Sequence, residues 1–553
     1  MPSFISQVDY KKLERFLRKI LGRGNLKNEV YKLLITPTQK VSIKKLEKQI
    51  KKTSNLKIPP ESNSKKIIFN SVDARHMTHT YLEGAISKSL QLRGHKTKMI
   101  ICDGALNMCT TFHRIDHPQN QWSCENCISF SKKFYDTVGL DYYSYQEFVN
   151  QDSINEISEK IRNISIEECK DYKFKKINVG KHAIISANRY FKGYVSSEEL
   201  YNRILRDELI NAIISTNVAK GVIEKEKPDV LVTSHGCYSS WGSFSDFFYN
   251  KGIRICVWAS GERNTVTFDR QNSDEYYKKY LNEIRNKKNL NVKETKELND
   301  FLEKRVKGKE GQVSLYDFSE TKKESLEKKF DFKKYKKTYL LFPNVPWDAA
   351  LMNADVGFKD IFDWLYHTVK LFQDKSNYQL IIKIHPSEAK VMESEKTVLD
   401  YLKEKFTELP NNIKIISPNT DISPYSLYPF IDVGLVYNGT IGLEMVIQGF
   451  PVVVAGNAHY GRKGFTYDIF TKDDFSKLIF TELKTLPNQK DLARIYGYFH
   501  FIKKFIPKSF IYNKNFLNIG WNINSLNNLT EGQDKNLDHI CNYIVNNGVF
   551  QNW

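Results

Sequence analysis

Long apolar runs are missing from this sequence of 553 residues. No stretch approaches the roughly 18 apolar residues that suggest a membrane-spanning helix, and the polar first residues, MPSFISQVDYKK, do not resemble a signal peptide. Internal repeats are also missing, and the only biased tracts are rich in lysine. We therefore expect a cytoplasmic protein, with peripheral contact at the inner face of the membrane left open.

Acidic side chains are the minority among the charges. The chain has 83 Lys and Arg residues against 64 Asp and Glu, and its net charge is +19. Such a surplus favours an anionic partner, a class that includes nucleotides, acidic glycans, anionic lipid surfaces and nucleic acids. A lysine-rich solvated surface explains the same surplus without any partner. Because no recognised nucleic-acid-binding module is present, we do not expect nucleic acid to be the partner.

Much of the charge lies in residues 1–64, which we predict to form a basic helical extension. Apolar residues recur among the basic ones at helical spacing, at Leu13, Phe16, Leu17, Ile20 and Leu21. An amphipathic basic helix of this kind can rest on an anionic membrane face. It can equally pack against the body of the protein, and the sequence leaves both interpretations open.

Strands and helices alternate in two sets beyond this extension. In residues 65–330 we predict a strand, a helix and three more strands, at 66–70, 80–92, 98–102, within 227–236, and at 253–258. In residues 336–490 the predicted strands are within 338–348, where a turn follows the strand, and at 379–386, 413–416, 433–437 and 452–455, with helices at 358–372 and 440–448. This alternation is typical of parallel sheets covered by helices on both faces.

The predicted architecture is therefore α/β, with two doubly wound Rossmann-type domains that face a cleft. The interval 276–337 between the two sets is charged and helix-prone, and its Gly-containing stretch 307–312 is the expected flexible point. Residues 491–553 are expected to form a helical tail that packs back on the body.

The densest pattern is a strand–helix–strand unit within residues 431–468. Asn438, Gly439 and Thr440 follow the first strand and open the helix, which is where ligands bind in parallel sheets. Glycine lets the backbone approach a ligand, the threonine offers a hydroxyl, and free helix N–H groups face an anion. Glu444 lies one turn further on, placed to accept hydrogen bonds from the vicinal hydroxyls of a ribose. This pattern predicts a nucleotide-sugar pocket.

His385 closes another predicted strand, within the sequence Lys383-Ile384-His385-Pro386, and should lie beside the Asn438 loop. A histidine there can donate to a phosphate and, when protonated, offset the charge of a nucleoside phosphate leaving group. Lys383 shares its face of the strand and is a second candidate phosphate ligand. A glycine-rich loop at 456–464 supplies further candidate contacts to phosphate or sugar, at His459, Tyr460, Arg462 and Lys463.

The first predicted domain should bind the acceptor and supply a general base, which requires a carboxylate or an imidazole. Candidates follow the predicted strands of that domain, where ligand loops occur. They are Asp73, His76, His79, Asp103, His235 and Glu262. The sequence does not choose among them.

Four of the eight cysteines are clustered, at Cys102, Cys109, Cys124 and Cys127. In a reducing cytosol, four nearby thiols favour a structural zinc site over disulfides. His113 or His117 could replace one ligand. The alternative is that Cys102 is a buried free cysteine at a strand end.

Several of these motifs resemble the capsule and surface-polysaccharide biosynthesis family of GT-B proteins, which includes transferases of the acidic sugar Kdo. The strongest resemblance is carried by DISPYSLYPFIDVGLVYNGTIGLE (421–444), GFPVVVAG (449–456) and HYGRKGFTYD (459–468). The first half resembles the family through CDGALNMC (102–109), SHGCYSSWG (234–242) and GERNTVTF (261–268).

The resemblance implies a GT-B fold and a glycosyltransferase that uses a nucleotide sugar without a DXD metal motif or catalytic metal. His385 falls on the family's HP motif and Glu444 on its donor-binding acidic position. The implied donor is a CMP-linked acidic sugar first and a UDP- or GDP-sugar second. The implied acceptor is a surface polysaccharide, or a glycan or lipid-linked glycan precursor.

Four other functions remain open at the level of sequence. A nucleotide-sugar epimerase can use the same turn and helix without an acceptor, and a transferase of CDP-linked polyol phosphates can use the same fold. A basic nucleic-acid-binding protein would account for the charge. A scaffold that binds nucleotide sugars without turnover would account for the motifs.

Overall fold

Two parallel sheets organise the chain, one in each of the two units into which it divides. Unit 1 comprises residues 1–184, 205–273 and 505–552, and unit 2 comprises residues 185–204 and 274–504. The structure is a computed structural model, and it describes residues 25–53, 56, 58–59, 63–73, 77–109, 121–191, 195, 197–261, 264–269, 284–307, 323–346, 356–390, 397–420, 422–515 and 518–546.

The described residues form helices and strands in alternation. The helices are α1 (Asn25–Lys51), α2 (Met77–Leu92), α3 (Gln121–Val138), α4 (Gln151–Arg162), α5 (Ile166–Lys170), α6 (Val179–Phe191), α7 (Glu198–Glu226), α8 (Gly242–Asn250), α9 (Val292–Val306), α10 (Lys323–Phe330), α11 (Ile361–Gln373), α12 (Ser387–Lys390), α13 (Val398–Lys405), α14 (Ile441–Gln448), α15 (Lys472–Leu478), α16 (Gln489–Tyr498) and α17 (Lys535–Asn546). A π-helical turn, Phe499–Lys503, continues α16.

The strands are β1 (Lys66–Asn70), β2 (Lys96–Ile101), β3 (Tyr142–Ser144), β4 (Lys173–Phe174), β5 (Ile177–Asn178), β6 (Val230–Ser234), β7 (Arg254–Gly261), β8 (Thr265–Asp269), β9 (Lys337–Phe342), β10 (Tyr378–Lys383), β11 (Ile413–Ile416), β12 (Val433–Val436), β13 (Val452–Val454), β14 (Tyr467–Asp468), β15 (Ile506–Pro507), β16 (Ile511–Asn515) and β17 (Asn518–Trp521). Short 3₁₀ turns lie at Tyr145–Glu147, Phe332–Lys334, Pro424–Phe430 and Leu526–Leu529.

The sheet of unit 1 has the strand order β15-β8-β7-β6-β1-β2-β3. The five strands from β7 to β3 are mutually parallel; at one edge, β8 runs antiparallel to β7, and β15 runs antiparallel to β8. Every residue of β6 is buried, as expected of a parallel strand with helices on both faces.

Both ends of the chain contribute to the core of unit 1. Ile43 and Leu46 of α1 are buried in that core, together with Trp521 from β17 and Leu537 from α17. The indole Nε1 of Trp521 donates to the backbone carbonyl of Tyr81 at 2.8 Å. The later part of the basic extension therefore packs against the protein. The amphipathic residues Leu13 to Leu21 lie outside the described residues.

The sheet of unit 2 has the order β11-β10-β9-β12-β13-β14, and all its neighbouring strands are parallel. The chain builds one side outward from β9 through β10 and β11, then returns to the other side of β9 with β12. This is the doubly wound order 3-2-1-4-5-6, in which ligands bind where the order reverses. The two doubly wound sheets confirm the predicted α/β class and its Rossmann-type domains.

The two units divide earlier in the chain than the predicted boundary at residue 330, because α9 and α10 belong to unit 2. The apolar stripe Leu298, Phe301 and Leu302 of α9 is buried. Its polar face is also engaged, since Tyr498 Oη donates to Glu297 Oε2 at 2.8 Å. The interval was predicted to be helix-prone, but its residues up to 330 were assigned to the first domain.

Among the described residues, no helix is long and apolar enough to cross a membrane. Cytoplasmic localisation and membrane contact stay predictions.

Candidate functional site

The point where the strand order of unit 2 reverses lies between β9 and β12, and an asparagine follows each strand. Asn344 comes two residues after β9 and Asn438 two residues after β12, and both are largely buried. The backbone N–H of Asn438 donates to Oδ1 of Asn344 at 3.2 Å. This bond joins the two loops that border the switch point. Asn344 was not among the predicted site residues, although its place after a strand matches that of Asn438.

Helix α14 begins directly after the Asn438 loop, as predicted. Thr440 precedes it and makes no side-chain capping bond. The first N–H groups of a helix lie at its positive end, and here those of Gly442 and Leu443 already donate to the carbonyls of Gly439 and Thr440, each at 3.0 Å. Gly439 leaves room at the same place, because a Cβ added there would meet nothing closer than Asn344 Oδ1 at 3.6 Å. This loop therefore offers space and the positive end of a helix to an anionic ligand.

The side chain of Tyr460 fixes the position of this loop. Its side chain is fully buried, and its hydroxyl donates to the carbonyl of Gly439 at 2.6 Å. A Cβ on Gly442 would lie 2.2 Å from that hydroxyl, so only glycine fits there. Burial raises the pKa of Tyr460 well above its usual value, which keeps it a donor. Tyr460, predicted to contact the ligand, instead positions the loop.

Glu444 is buried in α14 and already has two strong partners. Nε of Arg305 donates to its Oε1 at 2.7 Å, and the hydroxyl of Tyr425 donates to its Oε2 at 2.5 Å. Burial, followed by the charge of Glu444, raises the pKa of Tyr425 well above its usual value. Both carboxylate oxygens are thus committed to protein groups, whereas the sequence suggested that they bind a ribose. Arg305 was missed because no motif marks it within the charged interval 276–337.

His385 follows the end of β10, on a loop beside β9, and its ring is half-buried. Its Nδ1 accepts a hydrogen bond from the backbone N–H of Ser387 at 3.1 Å. Burial, and then the charge of Lys383, lower the pKa of His385 to about 4. The ring is therefore neutral at pH 7 with its proton on Nε2. Of the two roles predicted for His385, this state fits hydrogen-bond donation to a phosphate and not the offsetting of charge by a protonated ring.

Two buried ionisable groups flank the His385 turn. Lys383 ends β10 with 3% of its surface exposed, which places a buried ammonium two residues from His385. Glu388 Oε2 accepts from the backbone N–H of Val398 at 2.7 Å, and burial raises the pKa of Glu388 to about 8. Glu388 is therefore a neutral carboxylic acid at pH 7.

The residues of the glycine-rich loop 456–464 that were predicted to contact the ligand differ in their surroundings. His459 stacks on His500 with ring centroids 4.1 Å apart, and burial lowers its pKa to about 3. Arg462 is exposed, and its backbone N–H donates to Asp468 Oδ2 at 2.9 Å. Lys463 donates to the carbonyl of Gly461 at 3.1 Å. In this loop, Arg462 presents an exposed cation, whereas His459 is part of the packing.

A second set of candidate residues lies at the carboxyl edge of the unit 1 sheet. His235 follows β6 with a positive φ of 56°, a backbone strain that is common at functional sites. Its ring lies 5.7 Å from that of His79, between centroids. The ring of His79 packs edge-on against Trp258 at 4.8 Å. Asp73, after β1, is largely buried. His76 and Glu262 lie outside the described residues.

Glu83 lies close to this set and was not predicted. It is 1% exposed, and its Oε1 accepts from the indole Nε1 of Trp258 at 2.8 Å. Burial is the main reason that the pKa of Glu83 rises to about 8, and the charge of Asp73 adds to the rise. Unit 1 thus holds a neutral carboxylic acid near Asp73, in addition to its two imidazoles.

The loop that carries His235 is fixed by His182 of α6. Nδ1 of His182 faces the carbonyl of Cys237 at 2.8 Å, and Nε2 faces the carboxylate of Asp246 at 2.8 Å. No sequence motif marked His182, because its partners lie more than fifty positions away.

The predicted zinc site does not assemble among the described residues. In that part of the chain, no group of three or more His, Cys, Asp or Glu side chains is arranged to hold a metal ion. Burial raises the pKa of the Cys102 thiol to about 11. None of the four cysteines forms a disulfide bond in the described part of the chain. His113 and His117 lie outside the described residues.

Comparison with known proteins gives one family and several distant structures. Residues 273–483 match the family model for capsule polysaccharide biosynthesis proteins. No curated protein is significantly similar to the chain.

Among solved structures, the beta Kdo 2,4 transferase of Thermosulfurimonas dismutans KpsC is 14% identical, covering 49% of this chain and 79% of that one with a TM-score of 0.35. The beta Kdo 2,7 transferase of the same protein is 16% identical, covering 58% and 87% with a TM-score of 0.30. A UDP-GlcNAc 2-epimerase from Neisseria meningitidis, bound to UDP-GlcNAc, is 13% identical, covering 78% and 94% with a TM-score of 0.25. Over residues 273–483 the chain is similar to capsule polysaccharide biosynthesis proteins, which confirms the resemblance that its motifs predicted.

Proposed function

We propose that this protein is a glycosyltransferase of surface-polysaccharide synthesis, and that it binds its nucleotide-sugar donor at the carboxyl edge of the unit 2 sheet. The observation that carries the proposal is the switch point between β9 and β12. There, Asn344 bonds the Asn438 loop, and α14 begins without a side-chain cap. A helix N-terminus at such a point is a general site for phosphate groups.

The donor's phosphates lie against the first turn of α14 in this proposal. Gly439 permits close approach, and Thr440 keeps its hydroxyl available because it makes no capping bond. Arg305 is held beside this turn by its ion pair with Glu444. We therefore assign Glu444 a positioning role, in which it fixes Arg305 and Tyr425.

His385 supplies a neutral hydrogen-bond donor through Nε2. During transfer, the acceptor oxygen forms a bond to the anomeric carbon, and the bond between that carbon and the phosphate oxygen breaks. The electron pair leaves with the nucleoside phosphate, and the proton of the acceptor hydroxyl goes to a general base. Donation from His385 to the departing phosphate stabilises charge where it develops.

The general base stays a prediction within unit 1. Asp73 and His235 both follow strands of the unit 1 sheet at its carboxyl edge. Both have chemistry that suits proton abstraction from an acceptor hydroxyl. Nearby Glu83 is neutral at pH 7 and therefore cannot accept a proton there.

The proposed donor is a CMP-linked acidic sugar, with a UDP- or GDP-sugar as the second choice. The family resemblance supports the first choice, and the net charge of +19 suits an anionic substrate and an acidic glycan. The proposed acceptor is a glycan or lipid-linked glycan precursor.

The test is a product assay of the full chain with each class of nucleotide sugar, in the presence and absence of a glycan acceptor. A transferase releases nucleotide and extends the glycan only when the acceptor is present. Conversion of the nucleotide sugar without an acceptor would instead identify an epimerase. His385→Ala should lower kcat by about 100-fold. His367→Ala is the matched control, because this half-buried histidine of α11 bonds Ser476 and lies outside the proposed site.

A further inference from the structure

A cavity lies at the amino edge of the unit 1 sheet, where β1 and β2 begin. Its volume is about 590 Å³. Residues at the start of both strands line it, together with the end of α17. Because the strands are parallel, their carboxyl ends, with Asp73 and His235, are at the other edge. The cavity is thus separate from Asp73 and His235, the candidates for the general base.

Arg93 lines this cavity and has an unused donor. Its side chain is 6% exposed, and Nη2 donates to Asp538 Oδ1 at 2.5 Å. Nε donates to Ser89 Oγ at 3.2 Å. Nη1 is buried and has no hydrogen-bond acceptor among the described residues. Nη1 lies 3.9 Å from Oε1 of Glu531, whose side chain is 72% exposed.

Two further donors line the same cavity. The hydroxyl of Ser64 is buried and lacks a hydrogen-bond partner in the described part of the chain. His95 accepts a hydrogen bond at Nδ1 from the backbone N–H of Lys65, at 3.1 Å. The pKa of His95 is lowered by burial and then by the charge of Arg93, so the neutral ring carries its proton on Nε2. Lys65 also lines the wall, and its Nζ donates to Oδ1 of Asp229 at 3.5 Å.

A buried donor without an acceptor costs free energy, so two of them on one polar cavity indicate a missing acceptor. Guanidinium, imidazole N–H, hydroxyl and ammonium groups together match an oxyanion that accepts several hydrogen bonds. We propose that this cavity binds a phosphate group, with Arg93, His95, Ser64 and Lys65 as its ligands. Glu531 occupies the mouth as a competing anion that a bound phosphate displaces.

Calorimetric titration of the full chain with inorganic phosphate, at constant ionic strength, tests this proposal. Wild-type protein should bind one phosphate, and Arg93→Gln should weaken binding at least tenfold. Glu531→Gln should tighten it about threefold to fivefold, because the competing carboxylate is removed. Glu531 is exposed, so this variant keeps the fold even if loss of the Arg93–Asp538 pair destabilises the first one.

Lys98→Gln is the matched control, because Lys98 pairs with Asp141 on the same sheet but does not line this cavity. Its phosphate affinity should equal that of the wild type. A parallel titration with CMP distinguishes free phosphate from the phosphate of a nucleotide. Phosphate binding at this cavity should be unchanged in His385→Ala. Failure of the phosphate proposal can therefore be distinguished from failure of the proposed donor site. Absence of phosphate binding below about 10 mM, or an equal effect of Lys98→Gln and Glu531→Gln, would overturn the proposal.

Discussion

In unit 1 the parallel strands lie in the order β3, β2, β1, β6, β7, and in unit 2 the strands β11, β10, β9, β12, β13 repeat that order. The carboxyl edges of the two sheets nevertheless differ in chemistry. Unit 1 presents imidazoles packed among tryptophans, such as His235 near Trp241, with 5.1 Å between ring centroids. Unit 2 presents an amide pair, an uncapped helix N-terminus and a neutral histidine.

The difference shows what a shared strand order does and does not determine. It determines where loops meet, because the chain must reverse beside the first strand in both sheets. It does not determine what those loops carry. Unit 2 offers donors for an anion, whereas unit 1 offers groups that can accept or share a proton. This division of chemistry agrees with a donor bound on unit 2 and an acceptor bound on unit 1.

The largest expected effect concerns a feature that the two units share. Glu83 and Glu388 are both neutral at pH 7 because burial raises the pKa of each to about 8. The unfolded chain releases these protons near the ordinary value of 4.5. The folded protein therefore binds more protons between these values, and its stability falls as the pH rises through them. Each residue contributes a fall of about 4 kcal/mol.

Denaturant titrations from about pH 5 to about pH 9 measure this fall. Glu83→Gln and Glu388→Gln should each reduce the fall in the free energy of unfolding with pH, and the double variant should reduce it further. Glu224→Gln serves as the control, because this carboxylate forms only an exposed pair with Lys220. An unchanged pH profile in both variants would mean that the two carboxyls are ionised in the folded protein.

The second effect concerns the buried ion pair between Arg305 and Glu444 in the unit 2 site. Glu444→Ala leaves the guanidinium of Arg305, which is 13% exposed, without its partner. Removal of one member of a buried pair should lower the free energy of unfolding of unit 2 by about 3 kcal/mol. Glu303→Ala on the same helix as Arg305 removes only an exposed pair with Lys307 and should leave stability unchanged. Equal midpoints of urea unfolding for the two variants would contradict this account.

The third effect is a contrast between alanine substitutions at two glycines of unit 2, Gly442 and Gly439. Gly442→Ala places a Cβ against Tyr460 and should lower the free energy of unfolding by about 2 kcal/mol, because the helix start must shift. Gly439→Ala meets no close atom and should leave stability nearly unchanged. It should instead weaken nucleotide binding, since it occupies the space next to the proposed phosphates. Thermal unfolding and nucleotide titration of both variants check this contrast.

The smallest effect concerns the hydrogen bond from Tyr460 to the carbonyl of Gly439. Tyr460→Phe removes this bond and keeps the packing, so the free energy of unfolding should fall by about 1 kcal/mol. Tyr339→Phe removes a comparable buried bond, to the carbonyl of Ile479, and should cost a similar amount. Only Tyr460→Phe should also weaken nucleotide binding. If both variants bind nucleotide equally well, Tyr460 does not position the loop.

Much of the sheet structure of both units could be predicted from the sequence. Apolar runs bounded by Gly, Pro and Asn marked the strands within one to three residues of their observed bounds, as for 433–437 against Val433–Val436. Helix α14 was predicted with the same accuracy, because Gly449 ends it. These features depend on local spacing and turn chemistry, which a single sequence contains.

The rest depends on contacts between distant parts of the chain. Arg305 and Glu444 are 139 positions apart, and no local pattern connects them. The neutral state of His385 follows from burial and from Lys383, which a strand pattern does not quantify. The four cysteines are close in sequence, yet zinc binding requires a three-dimensional arrangement that the described residues do not show. Tertiary packing, rather than local propensity, decided each of these outcomes.

The most direct measurement is a calorimetric titration of the full chain with CMP, UDP and GDP, alongside Asn438→Ala and the control His367→Ala. The account predicts that one nucleotide binds, that Asn438→Ala weakens its binding at least tenfold, and that His367→Ala does not. A nucleotide that binds all three proteins equally, or no binding by any nucleotide, would contradict a donor site at the junction of β9 and β12.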